Sequence, residues 1–137
     1  PGTSADSVNT MEFIPDIDGA VVVTIPSTVS QGIALKAALL CKKADVKILG
    51  VVENMSGHVC RSCGHKNDIL TRGGGENLAE QIEAPFLGRI PLDGSLGRAA
   101  DEGVPFVKAY PESVAAKAAK VIINQVLDRI GVGEIEE

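Results

Sequence analysis

Lys47-Ile48-Leu49-Gly50-Val51-Val52-Glu53 is the stretch on which the fold turns. It is a β-branched apolar run that does not alternate with polar residues. A strand apolar on both faces is covered on both, as in parallel sheets flanked by helices. Gly19-Ala20-Val21-Val22-Val23-Thr24-Ile25 is a second such run, ended by Pro26. Between them, Val29 to Lys43 reads as a helix. Ser27, Thr28 and Ser30 are candidate N-caps, and Lys42 and Lys43 suit the C-terminal dipole. Strand, helix and strand make a right-handed βαβ unit. The expected fold is α/β, a parallel sheet in three layers.

The pattern continues outward from this unit. Pro85-Phe86-Leu87-Gly88-Arg89-Ile90-Pro91 is expected to be a third, short strand bounded by prolines. Helices are predicted from Glu76 to Ile82, Ser95 to Glu102 and Glu112 to Ile130. The last is the most regular: Ile123, Leu127 and Ile130 repeat at helical spacing, and Ile122 and Val126 widen the stripe. Gly131 is placed to stop it. The acidic tail over 131–137 is expected to be mobile. No repeat or linker divides the 137 residues, a length suited to a single domain over 1–137.

Composition narrows the function. Apolar residues make up 45% and charged residues 23%, ordinary for a globular protein. The net charge is −5, with Glu134, Glu136 and Glu137 gathered at the end and the basic residues scattered, so no nucleic-acid footprint is present. With 3% aromatics and no tryptophan, base stacking is also disfavoured. No apolar run approaches the roughly 20 residues of a membrane span, and no signal peptide is visible. The chain opens on Pro1-Gly2-Thr3-Ser4, which reads as a loop without an initiating methionine, as in a fragment or processed piece. Three cysteines do not make a disulfide framework, and reduced thiols in the cytoplasm fit better.

Two of those cysteines carry the chemistry. In His58-Val59-Cys60-Arg61-Ser62-Cys63-Gly64-His65 they lie three residues apart, near enough to ligate one metal ion or cluster. Gly64 lets the backbone fold back so that amides can point at sulfur. A thioredoxin-type redox pair would open a helix beside aromatic neighbours, whereas this pair follows a strand in a polar loop. Two thiolates are half of a usual four-ligand site. His58 and His65 are poor candidates for the rest, because four ligands within eight residues would struggle to surround one ion. They read as solvated loop histidines. Either the histidines or a second chain must complete the set. Cys41, in a predicted helix, reads as a small buried hydrophobe.

Other motifs have plainer readings. Gly73-Gly74-Gly75 before a helix could hold an anion, but no G-x-x-x-x-G-K-[ST] string occurs, so it is no phosphate-binding loop. It is expected to be a flexible helix start. Asn54, just past the second strand, and Pro91-Leu92-Asp93, just past the third, are expected at strand C-terminal ends, where open α/β sheets bind ligands; taken alone, each reads as a turn. The carboxylates show no general acid–base pairing, and no Ser–His–Asp pattern is present.

Taken in order, several strings form a set: Gly50-Val51-Val52-Glu53-Asn54-Met55-Ser56-Gly57, the C-x-x-C-G turn, Gly73-Gly74-Gly75-Glu76, Phe86-Leu87-Gly88-Arg89-Ile90-Pro91-Leu92-Asp93, and Asp101-Glu102-Gly103-Val104-Pro105. The set resembles the Mrp-type (Mrp/ApbC) iron–sulfur cluster carriers, P-loop ATPases related to MinD and ParA, essentially end to end. Pro1-Gly2-Thr3-Ser4 is similar to the family's D-x-P-P-G-T-[GS]-D segment, cut after its aspartate, with Ala5 intervening before Asp6.

The resemblance implies a P-loop NTPase fold of the MinD type. It implies a homodimer holding a labile [4Fe–4S] cluster between subunits, with Cys60 and Cys63 from each chain, and transfer of that cluster to apo-protein recipients. In the complete protein, ATP with Mg²⁺ would be bound and hydrolysed. Asn54, Pro91 and Asp93 would lie near adenine, and Pro1, Gly2 and Thr3 near the γ-phosphate. Arg61 stands where the family commonly has proline. The family's phosphate-binding loop belongs to an N-terminal half not in this sequence, so this chain alone is expected to hydrolyse no ATP. It could also expose an unpaired sheet edge and self-associate. Zn²⁺ clamped by the same two turns of a dimer is the rival cargo, and dithiol redox chemistry a third reading.

Overall fold

A computed structural model describes residues 5–14, 16–60, 62–67 and 73–133. The three predicted strands form, and helices cover both faces of the sheet they make. In order, the elements are α1 (Ala5–Phe13), β1 (Ala20–Thr24), α2 (Thr28–Lys43), β2 (Ile48–Val59), β3 (Lys66–Asn67), α3 (Gly74–Gln81), β4 (Phe86–Leu92), α4 (Gly94–Asp101), α5 (Phe106–Ala109) and α6 (Val114–Arg129). β2 is the central strand and pairs in parallel with β1 on one side and β4 on the other. The parallel expectation therefore holds for these three. β3 was not foreseen: it adds antiparallel to the far end of β2, making the sheet mixed.

The apolar character of both faces of β2 has the predicted cause. Val51 points into a cluster with Val22, Ala34, Ala38, Leu78, Ala79 and Ile82, under α2 and α3. Val52, its neighbour, packs on the opposite face with Leu87 and Ile122, under α6. Alternation along a strand sends adjacent residues to opposite faces, so one dipeptide anchors both layers. Burying each such large aliphatic side chain contributes roughly 1.5–3 kcal/mol. The α6 stripe runs through Ile122 and Val126 as predicted. The helix starts at Val114 rather than Glu112, because Ser113 is its N-cap and accepts the amide of Ala116 at 3.0 Å. Ser27 caps α2 by position, without a side-chain bond. Lys42, at the end of α2, donates to the carbonyl of Ile82 at 2.7 Å and ties down the end of α3.

Two boundaries differ in a way that matters for function. β2 runs on to Val59, so Asn54 lies inside the strand rather than beyond it, and Pro91 likewise lies inside β4. The polar residues Asn54, Ser56 and His58 look like loop, yet a bulge accommodates them. β2 advances from Asn54 to His58 while β4 advances only from Ile90 to Leu92. Met55 and Gly57 take left-handed φ values of +55° and +72° to absorb the extra length. α1 and the short α5 were not predicted. In α1 the large apolar residues are Val8, Met11 and Phe13, and Phe13 is exposed, so no helical stripe marks it. No helix among the described residues is long and apolar enough to cross a membrane. The tail beyond residue 133 lies outside the described residues.

Candidate functional site

Beyond its bulge, β2 carries the cysteines out on a hairpin. His58 pairs with Asn67 and Val59 with Lys66. The amide of Cys60 donates to the carbonyl of His65 at 2.9 Å, and that of Gly64 returns to the carbonyl of Cys60 at 2.8 Å. Gly64 takes φ +68°, with open space where a Cβ would stand, so glycine serves the turn by its dihedral freedom rather than its size. Cys60 is half-buried and Cys63 exposed, both as free thiols. The backbone amide of Cys63, then that of Ser62, then the Cys63 thiol hold the Cys60 sulfur below the usual thiol range, outweighing desolvation. A thiolate is the form that ligates metal. Arg61 lies outside the described residues.

Among the described residues, no group of three or more His, Cys, Asp or Glu side chains is arranged to hold a metal ion. His58 is engaged in β2 and His65 is exposed. What one chain offers at this hairpin is a pair of sulfurs. Cys41 in α2 is half-buried, and desolvation raises its thiol.

Cys60 also borders a cleft of about 580 Å³ between the hairpin, the end of β4 and the start of α6, with Gly64, Pro91, Asp93, Tyr110 and Ser113 on its walls. Pro91 and Asp93 are thus brought to Cys60. Asp93 is the N-cap of α4, accepting the amide and the hydroxyl of Ser95, both at 2.9 Å. Asn54 lines a different opening of about 650 Å³ along β1 and α2. Its Oδ1 accepts the amide of Met55 at 2.9 Å. Pro1, Gly2 and Thr3 lie outside the described residues.

A fourth feature escaped the sequence reading. Glu53 is fully buried in the central strand. Its Oε2 accepts the amide of Gly75 at 2.7 Å, while Oε1 accepts Arg89 Nε at 3.2 Å and the hydroxyl of Ser56. Burial alone would raise this carboxyl, but the Gly75 amide, the Ser56 hydroxyl and the Arg89 charge together hold it below the usual range. The glycine run is therefore no flexible helix start. Gly74 and Gly75 are buried, and a Cβ on Gly75 would stand 2.7 Å from Cβ of Glu53 and 2.9 Å from the Phe86 ring. The N-terminus of α3 does hold an anion, and that anion is the protein's own.

Long sequence matches agree with this architecture. A family profile described as "ParA: NUBPL iron-transfer P-loop NTPase" matches residues 1–127. The chain belongs to this family. The cytosolic Fe-S cluster assembly factor NUBP2 of Gallus gallus is 42% identical over 130 residues, covering 93% of this chain and 48% of that protein. The iron-sulfur cluster carrier protein of Methanocaldococcus jannaschii is 40% identical over 130 residues, covering 95% and 44%. Among solved structures, the cell division ATPase MinD of Pyrococcus furiosus superposes with a TM-score of 0.60 at 32% identity, covering 83% of this chain and 42% of that one. The chain thus spans about half the length of the curated relatives it matches. Within this iron-transfer family the MinD-like α/β fold is as expected. One cue to the Glu53 network stood in the sequence: a lone carboxylate closing an apolar β-branched run must find partners, because an unpaired buried charge is costly.

Proposed function

We propose that this chain is the cargo-holding part of an iron–sulfur carrier. The observation that carries the reading is the pair of free thiols on one turn of the hairpin, Cys60 half-buried and Cys63 exposed. Two copies related by a two-fold axis would bring four thiolates together, the number a [4Fe–4S] cubane takes. A cluster held between subunits near solvent is easier to release than one caged in a single chain, which suits delivery to apo-protein recipients. The name of the avian relative supports a cytoplasmic role in cluster assembly, and that of the archaeal relative a carrier role.

ATP belongs to the complete protein in this reading. Asn54, Pro91 and Asp93 would face the base there, and Pro1, Gly2 and Thr3 the terminal phosphate. These 137 residues contain no phosphate-binding loop, so they do not by themselves fit a nucleotide with Mg²⁺, and no hydrolytic step is derived for them.

The test is anaerobic loading with iron and sulfide. Four irons and four sulfides per two chains, a brown chromophore, and loss of both in Cys60→Ala and Cys63→Ala support the proposal. A colourless protein with half a zinc per chain would replace it with a zinc clamp. A reversible disulfide without metal would replace it with redox chemistry. Equal uptake by the two variants defeats it outright.

A further inference from the structure

Among the described residues, one of the bonds that tie the cysteine-bearing hairpin to the body of the sheet is a side-chain contact across the bulge. Among the described residues, past Asn54 β2 meets β4 again at His58 opposite Leu92, and β3 at two residue pairs. Between these points the strand turns through Met55 and Gly57, both in left-handed conformation. Ser56 lies between them, buried at 6% exposure, and its hydroxyl donates to Oε1 of Glu53 three residues back. Glu53 is itself anchored twice more, to the start of α3 through Gly75 and to β4 through Arg89. Arg89 in turn lies 5.1 Å over the Phe86 ring and 2.6 Å from Glu76. Glu53 therefore gathers a strand, a neighbouring strand and a helix, and presents one oxygen to the bulge.

We propose that the Ser56–Glu53 contact fixes the bend of β2 and so aims Cys60 and Cys63, making both residues positioning residues for cargo held by those thiols. The inference rests on the carrier reading for what the hairpin holds, and on the fold alone for what orients it. A bulge bends its strand and redirects the residues beyond it. Here the hairpin begins at His58, the residue after Gly57, so the bend sets its direction together with the pairing of His58 to Leu92 of β4. If two hairpins must converge on one cluster, a loose bend spreads the sulfurs over many directions, and few of those satisfy four bonds together. The cluster then leaves faster, although every ligand is still present.

Ser56→Ala is the informative variant, since it leaves Glu53 with Gly75 and Arg89 and does not orphan the carboxylate. Ile122→Val, in the core on the other face of the sheet, serves as the control for general loss of stability. Amide exchange is measured on the metal-free 137-residue chain, and the half-life of the visible chromophore under an iron chelator on the loaded one. Ser56→Ala is expected to speed exchange at residues 57–67 about tenfold, leave β1 and α6 unchanged, and shorten the chromophore half-life severalfold. Ile122→Val is expected to lower the melting temperature and leave hairpin exchange and half-life as in the parent. Unchanged hairpin exchange in Ser56→Ala overturns the inference, whichever way loading goes. So does faster exchange with an unaltered chromophore half-life. A parent chain that takes up no iron and sulfide counts instead against the carrier reading.

Discussion

The amide of Gly75 donates to the carboxylate of Glu53 at 2.7 Å across 22 residues of chain, and it joins the first turn of α3 to the central strand. The contact needs a residue without a side chain. An added Cβ would fall 2.7 Å from Cβ of Glu53 and 2.9 Å from Phe86, closer than packed carbons come. Gly75→Ala should therefore push α3 off the sheet, despite alanine's better helix propensity. The expected loss is about 1–3 kcal/mol, the range for overpacking in a tight core. A urea titration checks it: the midpoint should fall with little change in slope. An unchanged or raised midpoint would show that α3 can shift freely.

Glu53 gives the protein an acid-sensitive component of stability. Its folded pKa lies below the ordinary value of 4.5, because the Gly75 amide, Ser56 and Arg89 outweigh the opposing effect of burial. A depressed carboxyl contributes stability that is present above the unfolded pKa and lost as pH falls through the folded one. The parent should thus lose stability from about pH 5 downward through this group. Glu53→Gln should be about 1–3 kcal/mol less stable at pH 7, the cost of disturbing a charged buried hydrogen-bond set. The gap between the two should close as pH falls below 4.5. Urea midpoints at pH 7, 5, 4 and 3 measure it, and a gap that widens in acid contradicts the assignment.

The framework of the fold was legible because β-branched runs that lack alternation marked β1 and β2 as strands, and prolines bracketed β4. The expected cover on both faces holds for β2, whereas β1 buries Val22 and leaves Val21 and Val23 exposed on its other face. The helices α2 and α6 showed through charged ends or an apolar stripe. The far end of β2 was not legible. Asn54, Ser56 and His58 carry the polarity of a loop, and only left-handed Met55 and Gly57 allow the strand to contain them. β3 is two residues long and exposed, which is below what periodicity can register. The cysteine pair was evident from spacing alone. Glu53 was not, since its partners Gly75 and Arg89 are 22 and 36 residues away and only the fold brings them together.

Cys60 and Cys41 should separate by reactivity. Cys60 is held below the ordinary 9.0 by the amides of Cys63 and Ser62, whereas burial in α2 raises Cys41 above it. The thiolate is the reacting form. In the metal-free chain, alkylation at Cys60 should reach half its maximal rate at a pH below 9.0, and that at Cys41 above. Site-resolved mass spectrometry after short iodoacetamide pulses across pH 6–10 gives both profiles. Coincident profiles would mean that the turn does not direct its amides at sulfur.

The purified chain should show no Mg²⁺-dependent ATP turnover above a buffer blank in a phosphate-release assay. Phosphoryl transfer depends on groups that cradle the phosphates and neutralise their charge, and the sequence contains no G-x-x-x-x-G-K-[ST] string to supply them. Turnover that persists through two further purification steps would refute this.

The outer edge of β1 pairs with no strand among the described residues. Val21 and Val23 stand 37% and 57% exposed on the face away from α2, beside the opening along β1 and α2. An unprotected edge with apolar side chains templates association with another chain. The metal-free 137-residue chain should therefore self-associate with rising concentration in sedimentation velocity runs, independently of the cysteines. Val23→Lys places a charge beside that edge and should shift the distribution toward monomer without lowering the unfolding free energy from urea titration by more than about 1 kcal/mol, because the side chain is already half in water. Cys60→Ala with Cys63→Ala should leave the same distribution unmoved. If the cysteine variant abolishes association and Val23→Lys does not, the contact forms through the hairpins and the β1 edge is inert.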